Sequence, residues 1–190
     1  PRGSWHVMHY EDIRRVYEDH YHFSTRTVAE FQRAIGETFP SIPLAKDPPE
    51  HTRYRKFLNP HFTPVALKKL EHSVRALAVA MIEEFAAKGE VDIAYDFGRI
   101  YPVRIFMDLM GFPHAMFEQF LQWEFDILHS QDPERITAAL KGTIAWLRGF
   151  IAEREGDPDD KLVSKIVHGE IDGKPLTADE KIGIVWFLWL

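Results

Sequence analysis

Apolar residues recur every three to four positions along most of the chain, which is the pattern of amphipathic α-helices. The longest such stretch covers residues 64–88, and Gly89 is placed to end a helix there. Its apolar positions are Leu67, Leu70, Val74, Leu77, Ala78, Met81, Ile82 and Phe85. Further helices are predicted at residues 10–19, 95–110, 113–130, 132–155 and 160–168. The pattern therefore predicts a mainly α protein.

Prolines mark the breaks between these helices. Those at positions 40, 43 and 48 predict an extended loop over residues 39–47, because proline holds its neighbours in extended backbone. Pro102 predicts a bend or a late start in the helix at residues 95–110. Asp-Pro pairs at residues 132–133 and 157–158 suit helix starts.

Short β segments and one helix cap complete the local pattern. Residues 90–94 are a candidate strand, and the turn residues within 171–175 predict a small hairpin. Thr177 and Glu180 have the spacing of a capping box, in which each side chain bonds the other residue's backbone N–H. No repeat, low-complexity tract or linker is visible in the sequence. We therefore predict one mostly helical unit.

Residues 47–55 read Asp-Pro-Pro-Glu-His-Thr-Arg-Tyr-Arg and are the most informative stretch of the chain. The two prolines predict a helix start, with Asp47 as its N-cap and Glu50 in its first turn. His51 and Arg55 are four positions apart, so a helix places both on one face as two stacked donors. Such a pair suits a buried carboxylate or phosphate. The alternative interpretation is a solvated basic helix.

Composition excludes some classes of function. The chain has 190 residues, of which 45% are hydrophobic, a proportion typical of globular domains. Its net charge of −6 argues against a nucleic-acid partner. The apolar run at residues 182–190 is far shorter than the roughly 20 residues of a membrane span, so a helix buried on all sides is predicted. The ten histidines show no metal-ligand spacing, and no G-x-S-x-G, P-loop or G-x-G-x-x-G motif occurs.

Several segments, taken in order, resemble bacterial cytochromes P450. The D-P-P-E-H-T-R-x-R stretch resembles the signature of that family's helix C. The other matching segments are residues 5–10 (early strand), 11–19 with 22–24 (helix B), N-P-H-F-T-P at 59–64 (C–D connection), D-L-M-G-F-P at 108–113 (end of helix E) and L-T-A-D-E at 176–180 (start of helix I). The chain thus resembles a P450 fold fragment running from helix B to the start of helix I, nearest the soluble camphor-hydroxylase-like group.

The resemblance implies that the chain is incomplete. It contains no cysteine, whereas a P450 needs a cysteine thiolate on the haem iron. Residues 1–190 would form a single partial domain, clipped at its N-terminus and stopping within helix I. The oxygen-activation motif, the Glu-x-x-Arg motif and the cysteine loop would lie beyond it. We therefore expect no catalytic residue and no metal ligand here, no activity from this part alone, and poor solubility if the polypeptide ends at Leu190.

The same resemblance implies a cofactor and an electron donor. The cofactor is haem b, whose propionates His51 and Arg55 would bind. Arg53 and Lys56 flank that pair, and together with Arg14 and Arg15 they resemble the basic surface that receives an acidic ferredoxin. The alternative is that these four residues are simply solvated charges.

Candidate substrate contacts follow from the resemblance as well. The loop near residue 40 corresponds to the family's B–C loop, and the last helix to helix I. Phe39 stands where the camphor-binding member has a tyrosine, which disfavours a hydrogen-bonded ketone and favours a more apolar ligand or another anchor such as Thr38. Phe187 and Leu190 either face the haem or belong to the core. The predicted pocket residues are Thr38, Phe39, Ile42, Leu44, Phe187 and Leu190.

The predicted function is that of a cytoplasmic haem-thiolate monooxygenase in the complete protein. It would hydroxylate a small, largely apolar substrate with O2 and electrons from a ferredoxin, a terpenoid-like molecule being one candidate, without nucleic acid or membrane as partner. The protein would position the substrate while the cofactor does the chemistry. The alternative is a non-enzymatic helical module that binds a small ligand, such as a transcriptional regulator's sensor domain. Neither end of the chain carries a basic helix-turn-helix unit, which argues against that alternative.

Overall fold

The computed structural model describes residue 3 and residues 5–26 and 30–190, so the predicted start of the domain at Pro1 lies outside the described residues. The α-helices are α1 (Tyr10–Glu18), α2 (Glu30–Ala34), α3 (Glu50–Leu58), α4 (Pro64–Lys68), α5 (Glu71–Ala86), α6 (Ile100–Met110), α7 (Phe117–Leu128), α8 (Pro133–Gly156), α9 (Leu162–Val167) and α10 (Ala178–Trp189). Short 3₁₀ segments lie at Asn59–Phe62 and His114–Met116, and a π-helical segment at Ile93–Gly98. Strands β1 (Glu170–Ile171) and β2 (Lys174–Pro175) form an antiparallel hairpin. The mainly α prediction is confirmed.

The core lies where α7, α8, α9 and α10 pack together. Helix α8 begins as the Asp-Pro pair predicts, because the Asp132 carboxylate accepts the Glu134 backbone N–H at 2.9 Å. Aromatic rings fill the space between α7 and α8, and Phe112 makes edge-to-face contacts with several of them. Buried aliphatic side chains of α9 and α10 complete the core.

The single long helix predicted at residues 64–88 is wrong. Helix α4 ends at Lys68 and α5 begins at Glu71, because the Leu70 N–H bonds the Leu67 carbonyl in a tight turn at 2.9 Å. Leu67 and Ile82, both assigned to its apolar face, are exposed. Gly89 follows α5 with a φ of 78°, in the left-handed region that suits glycine at a helix end.

The two predicted strands outside the hairpin are also wrong. Residues 5–8 have no regular structure, and the candidate strand at 90–94 runs instead into the π-helical segment. The Asp92 carboxylate accepts the backbone N–H groups of Ala94 and Tyr95, both at 3.1 Å, and so starts a helical turn. A strand also needs a partner backbone, and β1 with β2 is the pair found among the described residues.

The hairpin, the helix breaks and the last helix start agree more closely with the sequence. The turn between β1 and β2 places Asp172 and Gly173 at positive φ, as a tight hairpin requires. Helix α6 starts late, with Pro102 in its first turn. The loop at 39–47 is extended only in part, since residues 42–45 form a turn. Helix α10 opens on the predicted capping box of Thr177 and Glu180.

Helix α10 is buried over most of its length. Residues 182–186 are buried, residues 187–189 are half-buried and Leu190 is exposed. The described parts of the chain contain no helix whose length and apolar character would let it cross a membrane.

Candidate functional site

Helix α3 carries the His51–Arg55 pair, and the loop before it is tied to the N-terminal part of the chain. The prediction that Asp47 is the N-cap is wrong, because the cap position falls at Pro49 and has no side-chain hydrogen bond. The Asp47 carboxylate accepts instead the Ser24 hydroxyl at 2.6 Å and pairs with Arg26 at 3.2 Å. The hydrogen bond from Ser24 lowers the pKa of Asp47. Asp47 therefore anchors residues 24–26 to the start of the site.

His51 and Arg55 lie one turn apart on α3, as the sequence predicts. His51 is half-buried and Arg55 is exposed. Within the described ranges, neither side chain makes a hydrogen bond or an ion pair with another protein group. The pair is thus two donors on one helix face that no protein acceptor satisfies, which is a chemistry suited to carboxylates.

The neighbouring residues of α3 face other elements. Arg53 Nε donates to Asp172 Oδ2 in the hairpin turn at 2.7 Å, so this guanidinium is directed toward β1 and β2. Tyr54 is buried and Phe57 is half-buried against the turn that precedes β1. These contacts fix α3 against the hairpin.

Tyr54 also joins α3 to the start of α10. Its hydroxyl donates to Glu180 Oε1 at 2.6 Å, while Glu180 Oε2 accepts the Thr177 N–H at 2.7 Å and the Thr177 hydroxyl at 2.8 Å. Burial raises the pKa of Tyr54 well above its ordinary value, and the hydrogen bond to Glu180 adds to that effect. Burial also raises the pKa of Glu180, but the hydrogen bonds from Tyr54 and Thr177 outweigh it and leave this pKa below its ordinary value.

Acid is expected to weaken this junction. A carboxylate whose pKa is lower in the folded protein stabilises it fully above the unfolded pKa of about 4.3, and loses that contribution as pH falls through the folded pKa. We therefore expect the free energy of unfolding of the complete gene product to fall on acidification below about pH 4.5. Urea denaturation between pH 3 and 6 measures this, and Glu180→Gln should flatten that part of the curve.

The exposed Glu118 on α7 provides the matched control for this pH series. Glu118→Gln should leave the acid dependence as in the unaltered protein. Equal flattening by both substitutions would contradict a specific contribution from Glu180.

The loop at residues 38–44 is divided between core and surface. Phe39 and Ile42 are each 1% exposed and belong to the core, and the Ile42 N–H donates to the Gly183 carbonyl of α10 at 3.1 Å. Thr38 and Leu44 are exposed, Leu44 to 42%. The structure therefore buries Phe39 and bonds Ile42 to α10, but leaves Thr38 and Leu44 at the surface. Their assignment to a substrate pocket stays a prediction.

Two further side chains, Gln32 and Arg148, hold this loop, and no local pattern in the sequence marks their contacts. The buried Gln32 on α2 donates to the Ser41 hydroxyl at 2.6 Å. Arg148 on α8 pairs with Glu37 at 2.6 Å, and its guanidinium lies over the Phe39 ring, 5.6 Å from the centroid. The loop is thereby fixed to α2, α8 and α10 at once.

A cavity of about 420 Å³ lies beside the end of α10. Its lining includes Phe106 of α6, Phe120 of α7 and Trp189 of α10, with Arg99 and Glu124 as its charged residues. Leu190 lines it as well, whereas the half-buried Phe187 does not. Of the six predicted pocket residues, Leu190 is thus the one that borders this cavity.

The four basic residues predicted to receive an electron donor lie on two helices. Arg14 pairs with Glu18 on α1 at 2.8 Å, and Arg15 beside it is exposed. On α3, Arg53 is engaged with the hairpin, and Lys56 is exposed. A common surface for the four residues stays a prediction.

Comparisons with known proteins show what the chain is similar to. The chain is 33% identical to "Probable cytochrome P450 127A1" of Sinorhizobium fredii over 96% of its length, and 32% identical to "Erythromycin C-12 hydroxylase" of Saccharopolyspora erythraea over 94%. The solved structure of a mutant of P450 EryK in complex with erythromycin B matches 98% of the chain with a TM-score of 0.81 and 31% identity. Over nearly its whole length, the chain is thus similar to bacterial cytochromes P450 in sequence and structure. No protein-family model matches it.

The match to these P450s is partial on their side. The chain spans about half the length of the relatives it matches, namely 44% and 46% of the two curated proteins and 49% of the solved chain. The fold is accordingly that of a P450 segment. These comparisons do not place the chain in the camphor-hydroxylase-like group.

Cytochromes P450 carry haem b, and the donors of α3 fit that cofactor. Haem presents two propionate carboxylates, and His51 and Arg55 offer two donors that have no acceptor among the described residues. The thiolate that ligates iron in this family has no counterpart here, because the chain contains no cysteine. The described residues also contain no cluster of three or more side chains that could hold a metal ion. The fit is therefore to the propionates and not to the iron.

Proposed function

We propose that the complete gene product is a haem-thiolate monooxygenase and that this chain supplies the propionate-binding helix and part of the substrate enclosure. The observation that carries the proposal is the His51–Arg55 donor pair, unsatisfied among the described residues, within a chain related to P450s over 96% of its length. Bound haem would supply the activation of O2 for hydroxylation of a C–H bond. The chain's own residues would bind the cofactor and enclose the substrate. Residues 1–190 would form one partial domain.

The role of His51 and Arg55 is to hold the propionates in one orientation. Each contact would be a charge-assisted hydrogen bond, the class that contributes about 1.5–3 kcal/mol. Since haem is otherwise apolar, two fixed contacts at one edge would set its rotation within the fold.

We further propose that the substrate is small and largely apolar, a terpenoid-like molecule being one candidate. Phe39 and Ile42 are apolar and buried, and the Ile42 N–H bonds α10. A fixed apolar wall of this kind would select a substrate by shape rather than by hydrogen bonding. Thr38, Leu44, Phe187 and Leu190 would complete the enclosure. The non-enzymatic sensor module is not favoured, because the relatives are P450s.

A ferredoxin is the proposed electron donor. Its acidic surface would meet Arg14, Arg15, Arg53 and Lys56, all of which are exposed. Charges at the edge of such an interface act mainly on the association rate, so this contact should weaken as salt is raised. A cytoplasmic location is part of the same proposal.

The optical spectrum of the complete gene product, reduced and under carbon monoxide, tests the proposal. A strongly red-shifted Soret band is expected, because a thiolate ligand pushes electron density onto the iron. A protein purified without haem, or one with a histidine-type Soret position, would contradict the proposal.

A further inference from the structure

Helix α3 has few local interactions that stabilise it or fix its orientation. It is nine residues long and has no side-chain hydrogen bond at its N-cap. Helices of this length depend on tertiary contacts, because nucleation is unfavourable in short segments. What fixes the rotation of α3 about its axis therefore also fixes where His51 and Arg55 point.

The contacts of α3 differ in how well they define that rotation. The Arg53–Asp172 pair is exposed on both sides, and exposed ion pairs contribute little. The buried side chains of Leu58 and Tyr54 supply apolar packing, which is not directional. The hydrogen bond from the Tyr54 hydroxyl to the Glu180 carboxylate is directional, charge-assisted and 2.6 Å long.

Glu180 is itself held in place. Its Oε2 accepts two bonds from Thr177 in the capping box, which leaves Oε1 free to accept the tyrosine hydroxyl. The five residues at 182–186, just after it, are buried, so the start of α10 is fixed in the core. Tyr54 thus ties α3 to a rigid reference point.

We propose that Tyr54 and Glu180 are positioning residues for cofactor binding: their hydrogen bond fixes the rotation of α3, and so directs His51 and Arg55 toward the haem propionates. Tyr54 directly precedes Arg55, and successive residues of a helix point about 100° apart. A phenol held toward α10 therefore sets the direction of the neighbouring donor face. This inference rests on the proposed function.

The test is the rate of haem loss from the complete gene product to excess apomyoglobin. Tyr54→Phe keeps the buried ring and removes the hydroxyl, and should raise that rate roughly tenfold, as expected for a lost bond to a charged group. Tyr101→Phe is the matched control, because it removes a tyrosine hydroxyl bonded to the Val74 carbonyl between α5 and α6. It should leave haem loss nearly unchanged.

A double-mutant cycle separates positioning from general stability. If Tyr54 acts through the donor pair, Tyr54→Phe should add little once His51→Ala and Arg55→Ala are present. Glu180→Gln retains an amide oxygen that can accept the phenol, so its effect should be smaller than that of Tyr54→Phe.

The outcomes distinguish this inference from the function on which it rests. A gene product without haem would overturn both. A haem-loaded protein in which Tyr54→Phe and the donor-pair substitutions act additively, or in which Tyr101→Phe has the same effect, would overturn the inference alone.

Discussion

Gly183→Ala is expected to separate the loop at residues 39–42 from α10 and to lower the free energy of unfolding by about 2 kcal/mol. A Cβ at Gly183 would lie well inside van der Waals distance of the Pro40 carbonyl oxygen and 3.4 Å from the Ile42 side chain. The Pro40 atom belongs to the backbone and cannot move alone. The hydrogen bond from the Ile42 N–H to the Gly183 carbonyl would be strained with it.

Gly183→Ala is expected to be destabilising because the unfavourable contributions are larger than the favourable one. Alanine in a helix interior is favoured over glycine by about 1 kcal/mol. Overpacking costs about 1–3 kcal/mol, and a lost backbone hydrogen bond about 1 kcal/mol more. The costs of overpacking and of the lost hydrogen bond together exceed the gain in helix propensity, so the free energy of unfolding falls.

Gly149→Ala on α8 is the matched control for Gly183→Ala. Nothing lies within 4 Å of a Cβ built at Gly149, so only the helix-propensity gain should remain. Urea denaturation of the complete gene product should show Gly149→Ala stabilising and Gly183→Ala destabilising. If both substitutions changed the free energy of unfolding in the same direction, the loop at residues 39–42 would move aside without cost. That result would contradict its close packing against α10.

Features governed by neighbouring residues could be predicted from the sequence. The capping box at Thr177 and Glu180, the hairpin turn and the Asp132 cap each depend on residues within three positions of one another. Such interactions join residues that are close together in the chain, so they depend little on the tertiary structure. The folded protein therefore contains them much as the sequence predicts.

Features that depend on distant residues could not be predicted. Aspartate is a preferred N-cap residue, but the Asp47 carboxylate accepts a hydrogen bond from the distant Ser24 hydroxyl instead. The apolar period and the residue types of a segment indicate which local structures it can form. Its tertiary contacts determine which of them it adopts.

The candidate site likewise combines features set by neighbouring residues with features set by distant ones. The spacing of His51 and Arg55 predicted a shared helix face, which the structure confirms. The hydrogen bond from Tyr54 to Glu180 has no such local signal, because the two residues lie 126 positions apart on different helices. Arg148 and Gln32 reach the loop at 37–41 from elements distant in sequence, and no local pattern marks them.

Replacing both donors, in His51→Ala/Arg55→Ala, is expected to raise the rate of haem loss from the complete gene product by roughly 10²- to 10⁴-fold. The range follows from two charge-assisted contacts of about 1.5–3 kcal/mol each, with tenfold per 1.4 kcal/mol. Transfer to apomyoglobin measures the rate, and the haem content after purification should fall in parallel.

Arg53→Ala/Lys56→Ala is the matched control, because it also removes two basic side chains from α3. Arg53 pairs with the exposed Asp172 of the hairpin, a contact worth about 0–1 kcal/mol, so haem loss should change less than about fivefold. Its effect should fall instead on reduction by a ferredoxin at low salt. Equal haem loss in both double variants would mean that α3 acts through its total charge. Faster loss confined to His51→Ala/Arg55→Ala would show that one helix face holds the cofactor, because the two variants share a helix and differ in the direction of the side chains removed.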